Sequence, residues 1–417
     1  MNLLLFQKKR LSKGISLALD FTSGVLDSRI TFTRASSGTR VNSSGIIESV
    51  TSNLPRFDYD PVTLAPKGLL IEEQRTNLLT YSSEFDNAAW VKGAGVTVTT
   101  NAITAPDNTT TADKFNYSGA ALTPSQTIAS TTTTYTVSAY VKSSNTSFCR
   151  LRIAAVGGSA TVSGPYFNIA TGVVSSAGVA TADFGSFLPS ITSVGNGWYR
   201  ISVTFTVLSV LTSITYGIVA AQTSDGASAA GDELYAWGAQ LEAGAFPTSY
   251  IPTTSATVTR AADNASMVGS NFSSWYNQSE GTVYCASDSP LATTTAQMNW
   301  YISDSTGINI IFNRKNVLNL CAASVVVGGV PQADITSFST ITAYSTVKSA
   351  FAYKLNDVAI SVNGASVGTD LAATIPTVDR IHLGQNVYNG QILNGHIQFI
   401  KYYPKRLPNA DLQRLTR

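Results

Sequence analysis

The pentapeptide Gly364-Ala365-Ser366-Val367-Gly368 has the G-x-S-x-G spacing that can hold a nucleophilic serine at a sharp strand-to-helix turn beside a histidine. Here it overlaps the tight-turn dipeptide Asn363-Gly364, strand-like residues flank it, and no helix follows, so it reads as a hairpin turn. The only histidines, His382 and His396, lie in strand-like runs without an HExxH pattern or a cysteine partner. They read as hydrogen-bonded strand residues, and no metal site is assigned. Glycoside hydrolysis would need two carboxylates a few ångströms apart. Glu72-Glu73, Asp86, Asp232-Glu233 and Glu242 are the available acids. Glu72 and Glu73 with Arg75 read as a salt-bridged turn, and Asp232-Glu233 as loop acids before a strand. The expectation is a protein that is not an enzyme, with no catalytic residue and no cofactor; calcium stays open but unplaced, because no EF-hand loop is present and no Asp cluster is dense enough to name ligands.

Binding is the better-supplied chemistry. Aromatic rings bind the apolar faces of sugars, with amides and carboxylates around them, and the chain holds 5 Trp, 18 Tyr and 17 Phe. Trp198 in NGWYRISV and Trp237 in LYAWGAQLE show the pattern of core residues. Trp300-Tyr301 and Tyr388-Asn389 fall near expected strand ends or turns and are the candidate glycan platform. Lys401-Tyr402-Tyr403-Pro404-Lys405-Arg406 is the one basic-aromatic stretch, and it reads as a strand end with solvated charges, not a nucleic-acid site.

The elements that position these residues are strands. Charged residues are only 12% of the 417, while 49 Ser and 50 Thr supply the polarity, a balance that favours β structure over helical bundles. A net charge of +2 leaves no global attraction to nucleic acid or anionic membrane. Cys149, Cys285 and Cys321 are too sparse for a disulfide framework and read as buried small hydrophobes. No apolar run is long enough for a membrane helix, and the N-terminal MNLLLFQKKR has the wrong order for a signal peptide.

Residues 1–80 carry the basic cluster Lys8, Lys9, Arg10 and Lys13 and then Pro55, Pro61 and Pro66, and read as an extended arm or connector. Residues 81–255 alternate with period two in TYTVSAYVK and, less regularly, FCRLRIAAV, with GWYRISVTFTV and ELYAWGAQLEAG as further strands, between Gly and Asn turns. Residues 256–417 form a second strand series with turns at Asn363-Gly364, Asn389-Gly390 and Asn394-Gly395, then a terminal helix with Asn409 as its N-cap. The fold class is all-β: two consecutive β-sandwich (jelly-roll) domains after an extended N-terminal arm.

The run GLLIEEQRTNLLTYSSEFDNAAW, Gly68 to Trp90, is similar to a segment of many bacteriophage tail and virion proteins that leads into a carbohydrate-binding-module-like jelly roll. YTVSAYVK, NGWYRISVTF and YAWGAQLEAGAFPTSYIPT resemble that jelly roll, and LDFTSG…ITFTRASSGTRV resembles the opening of such proteins. From Ala262 onward, FSSWYNQSEGTVY, KLNDVAISVNG and LNGHIQFIKYYPKRLPNADLQRLT resemble a concanavalin-A-like or laminin-G-like sandwich. The resemblance spans nearly the whole chain. It implies a structural virion protein of the tail-fibre or baseplate type, assembled in the host cytoplasm. It also implies a homo-oligomer, with a trimer expected, joined to other virion proteins through the arm and presenting its sandwiches to host-surface glycans. The alternatives are a purely structural capsid decoration, collar or spacer and, behind that, a glycan-degrading enzyme.

Overall fold

The computed structural model describes residues 14–120, 124–159, 162–290 and 295–417. The basic cluster Lys8, Lys9, Arg10 and Lys13 lies outside them. The chain forms two β-sandwiches in which the paired strands run antiparallel, so the all-β class and the two-sandwich architecture are both present.

The first sandwich packs two six-stranded sheets. One runs in the order Ser125–Ala129, Ser213–Ala221, Phe148–Val156, Tyr166–Asn168, Val173–Ser176, with Val162–Ser163 beside Phe148–Val156. The other runs Leu188–Ser193, Tyr199–Thr206, Thr134–Ser143, Ala230–Ala243, Ala112–Ser118, Val96–Ile103. Period-two alternation decides which side chains meet: Tyr135, Val137, Ala139 and Val141 point inward against Cys149, Leu151, Ile153 and Ala155. The opposite face of the second sheet buries Tyr140, Trp198, Trp237 and Tyr250 against Ile47 from the N-terminal region. Trp198 and Trp237 are therefore core residues of a second, smaller apolar cluster.

The second sandwich is not built from residues 256–417 alone. Its eight-stranded sheet includes Leu17–Asp20, Phe57–Tyr59 and Pro66–Ile71 from the N-terminal region. Leu17–Asp20 and Pro66–Ile71 both pair with Gly395–Tyr403. Thr31–Thr33 is an edge strand of the facing seven-stranded sheet, paired with Asn264–Val268. Leu17, Leu19, Phe21, Phe32, Phe57, Leu69 and Ile71 are buried in the same core as Trp300, Phe351 and Ile400. The first sandwich is thus inserted between two sequence-distant parts of the second. The prolines that suggested an extended arm sit at turns and at the start of a strand, where the missing N–H costs little. The GLLI that follows Lys67 is a buried strand.

Two further expectations change. Among the three Asn-Gly pairs, only Asn363-Gly364 has both residues at positive φ, the signature of the tight hairpin turn; Asn389 and Asn394 are left-handed but Gly390 and Gly395 are not. The terminal helix runs Asn409–Thr416 with Pro408, not Asn409, at its N-cap. Its Leu412 packs on Ala350, Ala352 and Ala359. The three cysteines are buried and free.

Candidate functional site

Arg34, Arg56, Glu72, Arg260 and Asp263 come together in one buried ion cluster. Arg34 donates to Asp263 at 3.1 Å, and Arg56 pairs with both Asp263 and Glu72. Arg260 pairs with Glu72 at 2.8 Å, and the Ser249 hydroxyl accepts from both Arg56 and Arg260. The three guanidinium side chains are at most 1% exposed, and that of Glu72 is 6% exposed. Burial disfavours the charge on Glu72, yet Arg260 and Arg56 outweigh it and hold the carboxyl well below the usual range. Burial likewise opposes the Arg56 charge, but Asp263 and Glu72 raise its pKa further. Next along the chain, Arg75 bonds Glu73 and the Ala243 carbonyl. A Cβ on Gly244 would fall inside that guanidinium, so glycine is required there. The Asn77 amide donates to the Ala239 and Ile251 carbonyls. These contacts tie segments around residues 34, 56, 72–77, 243–251 and 260–263 into one buried clasp.

Of the other acids named from sequence, Asp86 is exposed, and Glu242, Asp232 and Glu233 are engaged in local structure. Glu242 accepts from Thr248 and Gln240, Asp232 from Gln222 and the Ala229 N–H, and Glu233 pairs with Lys114 at 2.8 Å. His396 bridges Asp288 (Nδ1, 2.8 Å) and Asp58 (Nε2, 3.0 Å). His382 sits in a strand pairing with Tyr301 and Ser266, but, contrary to the expectation, both its ring nitrogens are buried without a hydrogen-bond partner among the described residues. Ser366 is an exposed turn residue in the segment before Gly368–Asp370.

The expected glycan platform is not one surface. Trp300 is fully buried, pointing into the second core beside Phe351, because the strand Gln297–Ser303 is buried along its whole length rather than ending at Trp300. Tyr301 points to the opposite face but is only 4% exposed, stacked on Phe312 and covered with Met298 and Val387. Tyr388 and Asn389 are exposed on a turn capped by the Asn386 side chain. The Tyr388 hydroxyl donates to the Thr306 carbonyl, and Asn389 accepts from Asn264. Tyr388 and Asn389 are accessible; Trp300 and Tyr301 are not.

The feature sequence reasoning missed lies on the outer face of the first sandwich. In Phe148–Val156 the inward residues are Cys149, Leu151, Ile153 and Ala155, which sends Arg150 and Arg152 together to the outside, about 7 Å apart along the strand. Arg150 lies opposite Tyr166 and Val219, and its guanidinium stacks over the Tyr166 ring at 5.0 Å. Arg152 lies opposite Gly217, which offers no side chain to cover it. On the other flank Gly164, at φ +123°, runs so close to the backbone at Leu151 that no Cβ fits. Together with the turn at 225–228, Arg150, Arg152, Tyr166 and Val219 line a cleft of about 350 Å³.

Among the described residues neither arginine forms an ion pair, and the Arg150 Nε is buried without a hydrogen-bond partner. Residues 1–13, 121–123, 160–161 and 291–294 contain no Asp or Glu, so no carboxylate there neutralises them. Burial, with the adjacent Arg150 charge adding to it, lowers the Arg152 pKa from its ordinary value. Asp225, exposed at the rim and accepting from Thr223, is the carboxylate bordering the cleft. A larger hollow differs in kind. The groove of about 750 Å³ between the 44–46 and 61–64 turns and the first sandwich has its Lys142 and Trp198 already donating to the Asn196 and Thr104 carbonyls. The signal available in sequence was CRLRI: two arginines at i and i+2 in an alternating strand of a weakly charged chain.

Among the described residues no group of three or more His, Cys, Asp or Glu is placed to hold a metal ion. No protein-family model matches the chain, and no curated protein matches it in sequence. Parts of it are similar to solved β-rich structures. The CBM40 of Ruminococcus gnavus IT-sialidase bound to α2,3-sialyllactose matches at 11% identity and TM-score 0.31, over 35% of this chain and 88% of that one. The NanB sialidase of Streptococcus pneumoniae matches at 15% identity and TM-score 0.31, over 36% of this chain and 26% of that one. The heptameric SAP-like pentraxin of Limulus polyphemus matches at 11% identity and TM-score 0.27, over 33% of this chain and 70% of that one.

Proposed function

We propose that this chain is a non-catalytic binding protein of a bacteriophage particle, holding two rigidly joined sandwiches on the virion surface and engaging host-surface glycan through the first. The observation that carries the binding reading is the open cleft at Arg150, Arg152 and Tyr166. It is a concave surface with an aromatic ring and two guanidinium groups that form no ion pair among the described residues. The sites are shallow and individually weak, so several copies on one particle would supply affinity through multivalency. The virion setting rests on the sequence resemblance, and the trimer expected from it stands as part of the proposal.

The second reading is a spacer without a receptor site, for which the buried clasp would supply a stable join between the sandwiches. The two separate experimentally. Fluorescently labelled full-length chain is applied to host cells, with and without enzymatic removal of surface polysaccharide. Saturable binding lost with the polysaccharide is the expected result. Binding absent from cells while antibody still finds the chain on particles overturns the receptor reading in favour of the spacer.

A further inference from the structure

Resting on the glycan-binding reading, we infer that the Arg150–Arg152 cleft is specific for acidic glycans, sugars bearing a carboxylate or sulfate, with neutral sugars bound far more weakly. A neutral sugar would be served by aromatic rings, amides and hydroxyls. This cleft instead places two guanidinium groups on one face, at i and i+2, with no counter-charge within ion-pair reach among the described residues. Keeping two partly buried cations side by side costs desolvation and mutual repulsion. A ligand anion removes that cost. The planar fork of arginine matches a carboxylate or sulfate in a bidentate way that an ammonium cannot.

The surroundings fit a sugar acid rather than a free ion. Stacking on Tyr166 fixes the Arg150 plane before any ligand arrives, and Val219 adds an apolar patch beside it. Gly217, opposite Arg152, carries no side chain to cover it, and the cleft of about 350 Å³ is large enough for a ring-sized group. At the rim, the exposed Asp225 carboxylate and the turn at 225–228 are placed to accept hydrogen bonds from sugar hydroxyls. The acid group would lie over Arg152 and the ring would extend toward Tyr166 and Asp225.

The test uses the full chain and titration calorimetry with uronic-acid oligosaccharides. The same oligosaccharides with carboxyl groups reduced to alcohols, and a sulfated neutral oligosaccharide, run alongside. The expected result is binding of the acidic and sulfated forms, weakening with salt, and at least about tenfold loss for the reduced form. Arg152→Gln and Arg150→Gln should each lose about tenfold or more toward the acidic forms, and Arg152→Lys should recover only part of that. Melting curves within about 2 °C of the parent protein would show that the variants fold, since among the described residues neither side chain has an ion pair to lose. Equal affinity for acidic and reduced forms, unchanged in the variants, overturns the acidic specificity while leaving glycan binding intact. Failure of every oligosaccharide to bind overturns both.

Discussion

Replacing Asp263 by alanine should uncouple the clasp. The Asp263 carboxylate receives Arg34, Arg56 and the Glu72 N–H, all fully or nearly buried. Within the cluster three cations face two anions, so loss of Asp263 leaves Arg34 without its carboxylate and Arg56 sharing Glu72 with Arg260. Removing one partner of a buried ion pair costs about 3–5 kcal/mol, because the remaining charge stays buried without compensation. In a domain of 150–250 residues that corresponds to roughly 6–20 °C in melting temperature, at about 2–4 °C per kcal/mol. The loss should appear in the second sandwich, to which Arg34, Arg56 and Asp263 all belong by chain position between its strands. Scanning calorimetry on the full chain checks this, with Glu48→Ala as the control. Glu48 pairs with Arg40 at the surface, where the exposed pair is worth about 1 kcal/mol or less. Asp263→Ala melting within 2 °C of the parent, or no lower than Glu48→Ala, would refute the clasp.

Deleting residues 14–80 should unfold the second sandwich rather than free an appendage, since buried Leu17, Leu19, Phe57, Leu69 and Ile71 each contribute roughly 1.5–3 kcal/mol; circular dichroism and limited proteolysis would show loss of the 264–403 strands. The His396 imidazole is opposed by burial but carried by Asp288 to a pKa above its ordinary value. Its stabilisation is therefore present below about pH 6.5 and lost as pH rises through the raised folded value. The melting advantage of the parent over His396→Gln should accordingly shrink on the alkaline side, and an advantage that grows there would contradict the bridge. Trp300→Ala should cost about 3–5 kcal/mol as a core cavity, whereas exposed Tyr388→Ala should change stability by less than about 1 kcal/mol in denaturant titrations.

The class of fold was legible because alternation is local. TYTVSAYVK announces which of its residues face the core, and Tyr135, Val137, Ala139 and Val141 do. The nesting was not legible, because Pro66–Ile71 finds its partner Gly395–Tyr403 more than 300 residues away, and nothing local marks that pairing. Proline density near Pro55 and Pro61 argued for loop, and tertiary burial of GLLI overrode it. For the same reason Trp300, read as a strand end, lies in mid-strand: the extent of Gln297–Ser303 is set by the neighbouring strands on both sides. Glu72, Glu73 and Arg75 were read as ion-paired, and they are, though the partners Arg56 and Arg260 come from distant segments. Arg150 and Arg152 were visible as a spacing, but a cleft requires that no other element cover them, and that is decided only in three dimensions.

The most direct test of the binding account is a crystal structure of the full chain soaked with a uronic-acid oligosaccharide. The account predicts density over the outer face of the first sandwich, with the acid group between Arg150 and Arg152 and the sugar ring beside Tyr166. Density confined to the Tyr388–Asn389 turn, or to the groove beside Lys142 and Trp198, would contradict it.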